Sequence, residues 1–277
     1  MTKTILITGA SSGIGKASAK LFHGKGWNVV ATVRSPDKET ELTALDNTLV
    51  TRLDVSDPQS IAAAVAAGID RFGRIDALVN NAGYGQYGVF EAVPATKIRQ
   101  QFDVNVFGVM DVTRALLPHF RAKGSGMIVN VSSGAGLFTL PMISLYCASK
   151  FALEGFTEAL AYELLDLNIG VKLVIPHGGV SETRFSERSG ENNALADVPG
   201  DYAPFIANVV KAFANMTAAR TITSADVADV IYESVTDGSD RLRYLIGDDA
   251  RGFIRARNEM TDHDYVNFMR SYFAAVK

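Results

Sequence analysis

Tyr146 and Lys150 stand four positions apart in "SLYCASKFALEG", and Ser133 lies thirteen residues before Tyr146 in "NVSSGAG". If the stretch around Tyr146 is helical, that spacing sets phenol and ammonium one turn apart on the same face. A free tyrosine titrates near ~10, too high for easy deprotonation at neutral pH. An ammonium at ~4 Å in an effective dielectric of about 20 favours the phenolate by at most ~4 kcal/mol, up to about three pKa units. Such a pair can exchange a proton with a bound oxygen, and a serine hydroxyl at the end of a neighbouring strand can share that oxygen. Ser133 and Ser132 both end the run "MIVNVSS" and compete for the second role. Taken alone, Tyr146 and Lys150 read as an ordinary exposed helix pair, and only the joint pattern reverses that order.

The elements that must position these groups are legible as short apolar runs: "TILITG", "NVVATV", "LVTRLDV", "DALVNNAG", "GMIVNVSS", "GVKLVIP" and, later, "RLRYLIG". Runs without polar alternation are the pattern of parallel strands covered by helices on both faces. They alternate with longer helical patterns, which implies an α/β fold with a doubly wound parallel sheet. Asp57 before Pro58 marks one helix start. The segment "IRQQFDVNVFGV" reads as helix, and another helix begins close to Tyr146. After the first strand, "ILITGASSGIG" sets Gly9, Gly13 and Gly15, with Ser11, Ser12 and Ile14 between them, at the opening of a helix. Glycines let the backbone approach a ligand closely, and free amides at a helix start favour a pyrophosphate; a tight turn without a ligand has the same pattern.

At 277 residues, 47% hydrophobic and 21% charged, the chain has the composition of a folded protein with a sizeable core. We expect a single domain over 1–277, since no linker or repeat divides it. A net charge of -3 without a basic stripe argues against a nucleic-acid partner. The one cysteine, Cys147, excludes an internal disulfide framework and reads as a packed thiol in a reducing compartment. No secretory leader and no membrane-spanning run is expected, which points to the cytoplasm. No metal site is expected.

The glycine pattern, "NNAG" at Asn80–Gly83, Asn105, Ser133, Tyr146 and Lys150, in this order from Lys3 to Thr183, resemble the short-chain dehydrogenase/reductase family in its single-domain branch. The resemblance implies a Rossmann-like fold and hydride transfer between a nicotinamide dinucleotide and a carbonyl or alcohol carbon. Tyr146 is then the acid/base, aided by Lys150 and by the positive ring of the oxidised cofactor; Lys150 also holds the nicotinamide ribose. Ser133, by its spacing to Tyr146, becomes the serine, and Asn105 supports a water-mediated proton relay through Lys150. Cofactor contacts fall to Gly9, Ser11, Ser12, Gly13, Ile14, Gly15, Asp54, Val55, Asn80, Asn81, Ala82 and Gly83. Further along, Pro176, Gly179, Val180 and Thr183 match a segment facing the nicotinamide amide, although His177 and a longer reach to Thr183 depart from the family pattern. Asp54, near the adenine in the family, is equally a strand-end cap.

In this family an acidic residue closing the second strand selects NAD, whereas a basic residue accommodates the 2'-phosphate of NADP. This chain has Val33 there and Arg34 next, so NADP(H) is the expected cofactor and NAD(H) the alternative. The polar stretch of about 177–200 reads as a substrate loop, and about 248–277 as a C-terminal extension. Tyr84, Leu137, Phe138, Met142 and Phe185 either line an apolar pocket or belong to the core. An apolar pocket would take a small hydrophobic ketone, aldehyde or alcohol. His177 either lines it or is a structural histidine. A homo-oligomer, packed through the long helices after Pro94 and Leu145, is implied by the resemblance. An NAD(H)-dependent dehydrogenase of steroid- or retinoid-like alcohols and a non-catalytic dinucleotide sensor are the competing readings.

Overall fold

Each apolar run forms a strand; the inner strands are covered on both faces, as the absence of polar alternation requires, while the edge strands at Thr48–Arg52 and Arg243–Ile246 are partly exposed. In the computed structural model, residues 2–181, 198–217, 222–247 and 252–273 are described. Strands β1 (Thr4–Thr8), β2 (Asn28–Val33), β3 (Thr48–Arg52), β4 (Ala77–Asn80), β5 (Gly126–Val131), β6 (Ile169–Pro176) and β7 (Arg243–Ile246) make one parallel sheet. Their order is β3-β2-β1-β4-β5-β6-β7. Strand order reverses between β1 and β4, so the crevice at their carboxyl ends is where such a sheet accepts a ligand.

Two apolar layers hold the helices on. Ile5 and Ile7 of β1 point to one face, where Phe22 of α1 (Gly13–Gly24) and Val227 and Ile231 of a helix at Ser224–Thr236 pack with them. Leu6 points to the other, against α2 (Pro58–Phe72), α4 (Gly108–Lys123) and α5 (Ser144–Leu164) through Ile61, Leu116 and Leu160. Fully burying one such side chain contributes roughly 1.5–3 kcal/mol. Asp57 caps α2 as its sequence implies, accepting from the Gln59 and Ser60 amides at 3.1 and 3.2 Å.

One predicted helix is not continuous. Between α3 (Ala95–Phe102) and α4 the backbone makes a π-turn over Asp103–Phe107, which carries Asn105. Such a turn inserts an extra residue into the helical ladder and re-aims a side chain.

The remaining helices are α6 (Ala203–Thr217), α7 (Ser224–Thr236), α8 (Phe253–Glu259) and α9 (Asp262–Phe273). The last two pack an aromatic cluster on the segment after Ser133, with Phe138 and Phe253 ring centroids 5.3 Å apart. Among the described residues, no helix is long and apolar enough to cross a membrane, and no group of three or more His, Cys, Asp or Glu side chains is placed to hold a metal ion.

Candidate active site

The site grows from the carboxyl ends of β1, β4, β5 and β6. Beyond β1 the chain turns sharply at Gly9, whose φ of +69° is open to glycine at no steric cost. Gly15, buried in the first turn of α1, faces that turn so closely that a Cβ there would sit 2.3 Å from the Gly9 carbonyl oxygen. Ser12 precedes the helix without a side-chain capping bond, leaving the first-turn amides of Gly13, Ile14 and Gly15 directed at the crevice. Ser11 is exposed beside them.

The NNAG turn after β4 is tied to this loop. Asn81 donates its Nδ2 to the Thr8 and Gly9 carbonyls at 3.0 and 3.3 Å, while the Thr8 hydroxyl accepts from the Asn81 and Ala82 amides. Asn80 does something else. Its Nδ2 donates to Thr113 Oγ1 and to Asn130 Oδ1, so its side chain braces β4 against β5 and α4 rather than facing the crevice. Gly83 lies against Asn105.

Asn105 is 1% exposed and fully engaged: Oδ1 accepts from the Tyr84 amide, and Nδ2 donates to the Tyr84 carbonyl and to Ser149 Oγ. Ser149 in turn donates to the Tyr146 carbonyl. The asparagine side chain thus couples the π-turn, the loop after NNAG and the helix carrying Tyr146; it does not touch Lys150.

Ser133, Tyr146 and Lys150 are brought together. The Tyr146 hydroxyl is hydrogen-bonded to that of Ser133. Lys150 Nζ lies 5.8 Å from the centre of the Tyr146 ring and donates to the Val131 carbonyl at 2.9 Å. Ser132 points elsewhere: its hydroxyl is buried without a partner among the described residues. Of the two serines, Ser133 is the one whose hydroxyl acts on the Tyr146 phenol.

Pro176 ends β6, Gly178 and Gly179 follow with positive φ, and Val180 bridges to Ile222. Thr183, Phe185 and most of the expected substrate loop lie outside the described residues. His177 is buried, with its Cβ against the Gly134 turn beside Ser133.

The profile of the short chain dehydrogenase family matches residues 3–194. The chain belongs to that family. It is 39% identical over 197 residues to the 3-ketodihydrosphingosine reductase of Bacteroides thetaiotaomicron, covering 70% of this chain and 71% of that one. A short-chain dehydrogenase from Streptomyces avermitilis superposes with a TM-score of 0.81 at 32% identity, over 98% of each chain. The structure of ElxO with NADP bound is similar at a TM-score of 0.72 and 26% identity, over 88% of this chain and 98% of that one.

In this short-chain dehydrogenase the protein alone, without the dinucleotide, leaves the Tyr146 phenol protonated. Burial pushes the phenol up to about 12, and the hydrogen bond to Ser133 only partly opposes it. Burial also drives Lys150 itself down to about 8. Desolvation penalises both charged forms and here outweighs their attraction.

At the far end of the crevice Val33 is buried, while Arg34 is exposed with no ion pair among the described residues. Asp54 behaves as a cap, its Oδ1 accepting from the Ser56 amide at 3.0 Å, and Val55 packs against Gly108. Sequence reasoning missed Thr8, whose hydroxyl anchors NNAG, and Gln101, whose buried amide bonds the Tyr84 carbonyl and the Gln86 amide. A threonine closing β1 and a glutamine four residues before Asn105 were the available signals. Of the residues considered for an apolar lining, Phe138 is core, and Met142 is buried with its sulfur 3.6 Å from the Tyr87 hydroxyl.

Proposed function

We propose that this oxidoreductase interconverts a hydrophobic ketone or aldehyde and the corresponding alcohol with NADP(H), Tyr146 serving as acid/base. The observation that carries this reading is the Tyr146–Ser133 hydroxyl pair set over Lys150, at the mouth of a crevice whose glycine turn leaves helix amides free. The cradle fits a dinucleotide: a Cβ at Gly15 would fill the space that close backbone approach requires. Gly9, Ser11, Ser12, Gly13, Ile14 and Gly15 would hold the pyrophosphate, Asp54 and Val55 the adenine side, Asn81, Ala82 and Gly83 the middle, and Lys150, Pro176, Gly179, Val180 and Thr183 the nicotinamide half. Asn80 contributes through its backbone. When bound, the cofactor supplies the hydride.

The chain's own residues manage the oxygen. Ser133 and Tyr146 converge their hydroxyls on the carbonyl oxygen and orient it. A phenol held protonated by burial can give its proton to the alkoxide as it forms, and Lys150 stabilises the phenolate left behind. Asn105 holds the helix and loop that aim them.

Arg34 carries the choice of NADP(H), since a guanidinium binds a 2'-phosphate in two-point fashion and no carboxylate stands at Val33 to repel it. Arg34→Ala should raise KM for NADPH by about 10- to 100-fold and leave KM for NADH within about threefold. Equal losses with both cofactors would favour the NAD(H) reading.

An aromatic series that reaches the loop after NNAG is in keeping with an apolar substrate. Tyr87 after NNAG, Phe213 on α6 and Phe273 on α9 contact one another in series, with centroids 6.1 and 6.3 Å apart. The similar Bacteroides chain is named a 3-ketodihydrosphingosine reductase, in keeping with this. Screening hydrophobic ketones and aldehydes by loss of NADPH absorbance tests the reading; turnover confined to small charged carbonyl compounds, or absent, would count against it. Exposed Phe107 and Phe151, on the π-turn before α4 and on α5, further support a homo-oligomer through these helices, which sedimentation would test.

A further inference from the structure

The inner face of α5 presents ionisable groups at four-residue intervals, Tyr146, Lys150 and Glu154, and the third has no part in the chemistry above. Glu154 is 6% exposed. A carboxylate is costly to desolvate and is kept inside a protein when it is paired. On its outer side Glu154 Oε2 accepts from Arg243 Nε on β7 at 3.0 Å, and the same guanidinium also bonds Glu158. On its inner side Oε1 is buried and meets no donor among the described residues. Its stem lies under the turn that follows Ser133: a Cβ on Gly136 would be 3.0 Å from Glu154 Cγ and 3.1 Å from the Lys150 carbonyl oxygen.

Lys150 has the complementary deficit. It is 6% exposed, its ammonium bonds the neutral Val131 carbonyl, and no carboxylate lies within ion-pair distance among the described residues. Other ionisable groups on the surrounding elements are paired, held protonated by burial, or exposed. Tyr146 and Cys147 are held protonated by burial. Lys172 on β6 pairs with Asp237 and bonds Tyr244. Asp103 in the π-turn is exposed and acts on Tyr84. Lys97 on α3 bonds Gln100, and Arg99 is exposed. His177 beyond β6 rests against Gly134, Glu158 pairs with Arg243, and Glu163 and Asp166 are exposed beyond it.

We infer that Glu154 is a positioning residue for this site: anchored outside by Arg243, its carboxylate supplies, one helical turn away, the negative charge that keeps the buried Lys150 ammonium protonated beneath Tyr146. This rests on the proton-transfer reading of Tyr146 and Lys150, because a charged Lys150 is what stabilises the phenolate. The direction of the effect agrees, since burial drives Lys150 down to about 8 and the Glu154 charge acts against that fall.

The test is an NMR titration of the full chain labelled at lysine 13Cε, with the Lys150 signal assigned by its loss in Lys150→Arg. Glu154→Gln should lower the Lys150 midpoint by about one pH unit, and Arg243→Gln, which frees the carboxylate from its guanidinium, should raise it. Opposite directions separate a charge effect from general loosening of the helix. The alkaline limb of the turnover profile should move with each midpoint. Midpoints within about 0.2 pH unit of wild type, or a shift of both variants in the same direction, would overturn the inference. If Glu154→Gln fails to fold, Arg243→Gln decides alone: a rise supports the inference and no change overturns it. A chain that reduces no carbonyl compound with either nicotinamide would end the functional reading and leave the Lys150 titration as measured.

Discussion

Tyr146→Phe is expected to lower turnover of an apolar ketone with NADPH by about a hundred- to ten-thousand-fold, while the dissociation constant for NADPH stays within about threefold. The substitution removes one oxygen. The ring stays packed with Ala135, Cys147 and Ile143, so the fold and the place of Lys150 beneath the ring are preserved. What disappears is the hydroxyl bonded to Ser133, the group able to protonate the nascent alkoxide. Ser133 cannot replace it, because an aliphatic hydroxyl is a far weaker acid than a phenol. Turnover within a few-fold of wild type would mean that the proton comes from another group, and the non-catalytic or differently catalysed readings would return.

Gly15→Ala should produce the largest loss of cofactor affinity short of unfolding. A methyl there would stand 2.3 Å from the Gly9 carbonyl oxygen and 2.5 Å from Asn81 Nδ2. Neither neighbour is free to move: Asn81 Nδ2 is held by the Thr8 and Gly9 carbonyls, and Gly9 sits in a left-handed turn. Over-packing of this kind costs about 1–3 kcal/mol or more. For a chain of this size that corresponds to a melting temperature lower by about 2–5 °C. Because the strain falls on the pyrophosphate cradle itself, the dissociation constant for NADPH should rise at least about tenfold. A variant that melts and binds like wild type would show that the turn has slack the structure does not suggest.

The fold was readable because parallel strands buried on both faces leave a plain signature, and each of β1 through β7 falls on one of the apolar runs, with β3 and β6 beginning one residue earlier. The choice of Ser133 over Ser132 came from the family resemblance, through the thirteen-residue spacing to Tyr146, since the two adjacent serines are equivalent by residue type. Other features depend on three-dimensional context. Helical periodicity passes straight through "FDVNVFGV" and gives no sign of the π-turn that aims Asn105. The two asparagines of NNAG are equivalent in sequence, yet strand alternation sends Asn80 toward α4 and Asn81 toward the glycine loop. The cost of burying the charges of Tyr146 and Lys150 is not legible from spacing, which reports their attraction only. Glu154 drew no notice because a carboxylate in an apolar helix pattern looks like a surface residue until its neighbours are known.

The central claim is that Tyr146 acts as proton donor and acceptor once the dinucleotide is in place, and its ionisation can be watched directly. The measurement is the phenolate difference spectrum, wild type minus Tyr146→Phe, across pH, with and without saturating NADP+. Without the dinucleotide the phenol should stay protonated through the alkaline range, since burial sets it at about 12. With it, the nicotinamide charge at ~4 Å should bring the phenolate signal in by about pH 9. A phenol that remains protonated at that pH in the NADP+ complex would contradict the account.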